Sequence, residues 1–371
     1  MADIPGSANP DSLDGTNEAD SITGLNGNDT IDAFDGNDSV FGGGDNDILN
    51  GGEGDDLLYG GNGLDVIVSG GGTDSLYGGA DADSLLLVLQ APGGGSLANG
   101  GEGDDTVTYY ISGRNTLVGG NGDDLLTVGG GASALYFIVD GFDGSVDDGN
   151  LSYISGFERY SVQGGGFDDI ASFAGGADTF HGGSGADTAF GQAGDDYLYG
   201  DTGNDELYGG DGKDAVYGGA QDDMLTGGTG NDYISGGHGA DLIDAGDGAD
   251  RIALYLGFDT VTGGSGADRF MFKGTQTNTH RFTDFETGVD RLEFNDDLLQ
   301  FAPPVGALDP SLFSYGAASG SQAQFVVVYD AGTDRTQLNW DPNGDDPTGG
   351  AYELALFDGD VTILAGDILI T

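Results

Sequence analysis

GGEGDDLLY at 51–59 runs without a break into GGNGLDVIV at 60–68, and the reading of these eighteen residues decides the fold. The nine-residue unit continues on both sides. Aspartates stand nine apart at Asp11, Asp20, Asp29, Asp38, Asp47, Asp56, Asp65, Asp74 and Asp83. The residue two places on is apolar each time, from Leu13 and Ile22 to Ile67, Leu76 and Leu85. A second run covers Asp169, Asp178, Asp187, Asp196, Asp205, Asp214, Asp223, Asp232, Asp241, Asp250, Asp259 and Asp268, with apolar partners such as Leu198, Val216 and Phe270. Apolar residues make up 37% of the chain, so chance does not fill some twenty such positions in a row.

Each position has a physical reason. Glycine admits positive φ and a tight turn without a Cβ clash. The Asp-x-apolar-x stretch is long enough for a brief strand, whose alternation sends the apolar side chain to one face. Of the 64 acids only 8 are Glu, which leaves 56 Asp. Solubility alone would use both acids, whereas the short carboxylate suits a fixed point in a turn. High charge with 76 glycines also fits a disordered chain, but disorder needs no register.

The unit G-G-x-G-x-D-x-U-x, with U apolar, resembles the nonapeptide of the RTX, or haemolysin-type calcium-binding, family. Matches cover about 11–83, 100–127 and 165–271. The resemblance implies an all-β parallel β-roll or β-helix solenoid in which two nonapeptides make one coil, so that residues n and n+18 stack. Asp187, Asp205, Asp223 and Asp241 then line one edge, and Asp178, Asp196, Asp214, Asp232, Asp250 and Asp268 the other. Carboxylates stacked at a strand spacing of about 4.8 Å repel unless a cation lies between them. Ca²⁺ takes oxygen ligands from carboxylates and from the carbonyls that glycine turns expose. The expected ligands are Asp20, Asp29, Asp38, Asp47, Asp56, Asp65, Asp74, Asp105 and Asp124, the residues of the two edges just named, and roughly fifteen to twenty ions. The alternative is an aspartate ladder that caps turns without metal.

The repeats suggest a four-part division: a first roll over 1–90, interrupted repeats and a spacer over 91–164, a second roll over 165–271 and a C-terminal antiparallel β cap over 272–371. The interval from Asp124 to Asp169 equals five nonapeptides. The spacer at 134–163 is therefore expected to continue the coil without metal loops, with Ser133, Phe142, Leu151 and Tyr160 in the aspartate register; a small inserted lobe is the alternative. TDFETGVDRLEF at 283–294 resembles the strand that follows the repeats in many RTX proteins, the serralysin C-terminal domain among them. QFVVVYD, TQLNW and AYELALF read as antiparallel cap strands. Asp341, Asn343 and Asp345 are a further Ca²⁺ candidate, against a plain Asn-Gly turn.

A net charge of −55 argues against unaided binding to nucleic acid or an anionic membrane. No apolar run is long enough for a transmembrane helix, and MADIPGSANPDSL lacks the features of a secretory signal peptide. The ending DILIT resembles an uncleaved type I secretion signal, which implies type I secretion machinery, a Gram-negative bacterium and an extracellular or cell-surface location. The repeats start near Asp11 after a short polar lead with no visible cap, so Leu13 and Ile22 are expected at an end that either the lead folds over or another copy covers, and assembly through that end is the favoured reading. A cell-surface polysaccharide is a further candidate partner.

No catalytic residue is expected. His181, His238 and His280 stand outside any HExxH, no G-x-S-x-G elbow occurs and cysteine is absent. Three functions stay open. The favoured one is a self-assembling extracellular structural protein, such as a surface layer, filament or matrix adhesive. The others are a secretion or folding accessory of an RTX enzyme, and an unfamiliar enzyme using 134–163.

Overall fold

The computed structural model of the chain describes residues 2–88, 95–110, 115–129, 136–138, 153–155, 157–273, 279–294, 306–307, 313–315, 324–341 and 352–370. Among them the fold is all-β, and the one helical element is the single 3-10 turn Ala365–Asp367. The chain divides into two units, Met1–Phe180 and His181–Thr371.

The first unit is a parallel solenoid with two ladders. Asp3–Pro5, Ser21–Asn26, Ser39–Gly44, Leu57–Asn62, Ser75–Ala80, Leu97–Glu102, Thr116–Asn121 and Tyr153–Ser155 form one ladder. Ser12–Asp14, Thr30–Asp32, Ile48–Glu53, Val66–Gly71, Ser84–Leu87, Thr106–Tyr110, Leu125–Gly129 and Arg159–Gln163 pair in the same order as the other. Ile22, Val40, Leu58 and Leu76 stack at an interval of 18, each fully buried. Burying one such side chain contributes about 1.5–3 kcal/mol, so the apolar column carries the fold.

Two expectations change here. Ile22 is covered by the lead, one of the two alternatives: Asp3–Pro5 is a strand, Ile4 pairs with Ile22, and Ile22 is buried, while Ile4 and Leu13 are partly exposed. In the polar lead only Ile4 marks this strand. The spacer does not keep the nine-residue count either. Leu125 pairs with Arg159 and Thr116 with Tyr153, intervals of 34 and 37. Both strands rejoin the ladders, and Tyr160 continues the buried column opposite Leu126. Ser133, Phe142 and Leu151 lie outside the described residues, as do 342–350 with Asn343 and Asp345 and the terminal Thr371.

The second unit repeats the plan. Leu198, Val216, Ile234, Ile252, Phe270, Leu292 and Ile368 form one continuous buried column. Leu207, Leu225, Ile243, Val261, Phe282 and Phe357 form the other, from Glu206–Asp211 through Met224–Thr229, Leu242–Asp247, Thr260–Thr262 and His280–Phe282 to Tyr352–Asp358. The C-terminal sheet is mixed. Gln324–Asp330, Arg335–Asp341 and Tyr352–Asp358 are antiparallel as expected, but Tyr352–Asp358 also pairs in parallel with His280–Phe282. Aromatic side chains fill the core of this sheet, where Phe282 stacks on Phe357 at 5.1 Å and Phe325 packs on Trp340 at 4.8 Å.

The turns depend on glycine at specific points. Gly248 has φ +155°, and a Cβ there would lie 1.4 Å from the Gly230 carbonyl oxygen of the preceding coil. Gly248→Ala is therefore expected to cost about 3 kcal/mol or more, because the coils must part or the backbone must change. Thermal unfolding in calcium checks this; an unchanged midpoint would sink it.

Candidate metal centre

The aspartates of the repeats stand in two stacks within each unit. In the second unit the backbone N–H of Asp187 donates to Oδ1 of Asp205 (2.8 Å), Asp205 to Asp223 (2.9 Å), Asp223 to Asp241 (3.1 Å) and Asp241 to Asp259 (3.1 Å). The other stack runs Asp196, Asp214, Asp232, Asp250, Asp268 and Asp290 at 2.8–3.0 Å. In the first unit Asp20, Asp38, Asp56 and Asp74 are linked likewise, and so are Asp11, Asp29, Asp47, Asp65, Asp83, Asp105 and Asp124. Asp178 accepts from the N–H of Tyr160. Each carboxylate thus holds one oxygen on the preceding coil.

The second oxygen is the chemically telling one. Oδ2 of Asp29, Asp38, Asp47, Asp56, Asp65, Asp83, Asp105, Asp124, Asp205, Asp214, Asp223, Asp232, Asp241, Asp250 and Asp268 is buried without a hydrogen-bond partner. A buried, unpaired carboxylate oxygen is strongly unfavourable. Burial pushes Asp223 up to about 8, and the charges of Asp241, Asp205 and Asp222 push the same way against the hydrogen bond from Asp205. Asp56, Asp83, Asp214, Asp241 and Asp250 are raised to about 7, first by burial and then by neighbouring carboxylates.

The donor set fits a hard cation. A Cβ at Gly200 would lie 2.3 Å from Oδ2 of Asp205 and 2.6 Å from the Gly218 carbonyl oxygen, and Gly209, Gly218, Gly60 and Gly78 repeat the arrangement. Glycine therefore lets a carboxylate oxygen and a carbonyl oxygen of the adjacent coil converge. Among the described residues no three acidic or histidine side chains cluster tightly enough to hold an ion by themselves. A calcium ion would take single carboxylates together with backbone carbonyls and water, a mix that calcium accepts and metals preferring nitrogen or sulfur ligands do not. When bound, the ion would supply positive charge between stacked carboxylates.

All the expected ligand residues lie in these stacks and are buried. Sequence reasoning passed over Asp83, Asp169 and Asp259, equally buried although the count of nine marks them. It also missed the substitutes. Ser96 accepts from the Asp74 N–H, Asn115 from Ser96 and Glu158 from Asp124. Asp290 was signalled only by the D-F-x-x-G-x-D resemblance. His280, expected at the surface or in packing, is buried, with Nδ1 2.9 Å from Oδ2 of Asp259.

Fold and loops together define a solenoid built from acidic, glycine-turned calcium loops. The family model described as the RTX calcium-binding nonapeptide repeat matches residues 14–49, 50–85, 111–133, 161–189, 174–207, 190–225, 217–252 and 250–273, more than half of the chain. The chain belongs to this family. No curated protein matches it. Repeats of this family imply an extracellular protein of Gram-negative bacteria, and among the described residues no helix is long and apolar enough to cross a membrane.

Proposed function

We propose that the protein is a secreted calcium-binding structural protein, exported by a type I system, that folds and assembles on Ca²⁺ outside the cell as a surface layer, filament or matrix component. The supporting observation is the ladder itself: buried carboxylates recur through the repeats of both units, so bound calcium is part of the scaffold along most of its length. Partly exposed Ile4 and Leu13 support contact with another copy at the first described coil. The reading assigns no catalysis to the chain. Light scattering and negative-stain microscopy with and without calcium test it. Filaments or sheets are expected in calcium, and a calcium-loaded protein that stays monomeric at high concentration would sink the assembly.

A further inference from the structure

The chain has only nine basic residues, yet three of them align. Arg251, Arg269 and Arg291 pair in register on adjacent strands, each at the first position of its strand and each exposed. Tyr233 precedes them in the same column. Two rungs earlier comes Tyr197, which is 50% exposed. Three guanidinium groups at a strand spacing of about 4.8 Å repel one another. Arg269 is held by the buried Glu293, to which its Nε donates at 2.7 Å. Arg251 lies over the Tyr233 ring, 5.9 Å from its centroid. Among the described residues neither Arg251 nor Arg291 has an ion-pair partner.

We infer that this column is a binding strip for an acidic polysaccharide, whose carboxylates meet Arg251 and Arg291 while a sugar ring lies on the exposed Tyr197. The chemistry selects that partner. Guanidinium groups bind carboxylates through paired hydrogen bonds. Tyrosine adds an apolar ring face with a polar tip, suited to a sugar and superfluous for a bare anion. The rise per coil is on the scale of one sugar residue in an extended chain, so an aligned polymer meets successive rungs. A second copy of this acidic chain would satisfy the arginines but leave the exposed Tyr197 without a role. The inference rests on the extracellular reading and not on self-assembly.

The test uses the full calcium-loaded chain, with hyaluronate oligosaccharides as the acidic probe and dextran as the neutral one, in isothermal titration calorimetry. Arg251→Gln/Arg291→Gln removes the two cations that have no ion-pair partner among the described residues and leaves the Arg269–Glu293 pair intact. Far-UV circular dichroism in calcium confirms that the variant folds. The wild type is expected to bind hyaluronate and not dextran, and the variant to bind at least about tenfold more weakly. Unchanged binding by the variant would mean that calcium merely bridges polymer and protein, which overturns the assignment. So would dextran binding as tight as hyaluronate, or no binding by the wild type. Loss of self-association in the variant without any glycan binding would give the strip to a second copy instead. Glycan binding by a protein that stays monomeric would support the strip while removing the assembly reading.

Discussion

Stripping calcium at neutral pH is expected to abolish most of the far-UV β signal of this protein, and restoring calcium to bring it back. Each stack places carboxylates on neighbouring coils about 4.8 Å apart. At that distance two charges with an effective dielectric near 20 repel by about 3 kcal/mol. The stack from Asp187 to Asp259 alone contains four neighbouring pairs. Fully ionised, that stack would repel by an amount that rivals the 5–15 kcal/mol by which a domain is ordinarily stable, and at neutral pH the fold must either bear this repulsion or take up protons to relieve it. Ions that bind the folded loops and not the open chain remove this term and add binding free energy. Circular dichroism in excess EGTA checks the expectation; a native spectrum there would show that the ladder caps turns without metal.

The calcium-stripped chain is also expected to regain β structure as the pH falls from 8 to 5. The unfolded carboxyls titrate near 3.8, whereas the folded ladder is raised to about 7 at Asp56, Asp214 and Asp250 and about 8 at Asp223, chiefly by burial. Between those values the folded state holds more protons than the unfolded one. Stability of the metal-free fold therefore rises as the pH falls through this window, and is lost as the pH rises through about 7–8. With calcium the trend reverses, because protons compete with the ion for the same oxygens. A circular dichroism titration of stripped protein from pH 8 to pH 5 decides. A β signal that is flat, or that falls with acidification, would contradict the ladder's electrostatics.

Much of this was legible in the sequence because the repeat writes the same instruction many times. Asp205, Leu207 and the glycines near them state a turn, a strand and a coil, and stacking at 18 follows once two units close a coil. The misreadings fall where those marks are missing. Glu158 does the work of an aspartate at an interval of 34 from Asp124, which no count of nine reaches. Asp3–Pro5 forms a strand with Ala2 in place of the aspartate, so Ile4 is its one local mark; the Ala2 N–H joins it to Asp20. The mixed C-terminal sheet was hidden for another reason. Its strands alternate like any antiparallel set, and the parallel pairing of His280 with Ala355 is a long-range contact that alternation cannot encode.

The intervals between stacked residues carry one more consequence. Ser75 stacks on Leu97 at 22 and Leu97 on Thr116 at 19, where the rule is 18, yet Leu76, Ala98 and Leu117 remain a single buried column. The longer intervals leave the register of the column unchanged. Such a molecule can be lengthened by whole coils, or given insertions between strands, without any interior side chain changing its neighbours. Inheritance can therefore edit its reach and its ornament separately. A slip of nine residues is different: it would carry every rung to the opposite ladder.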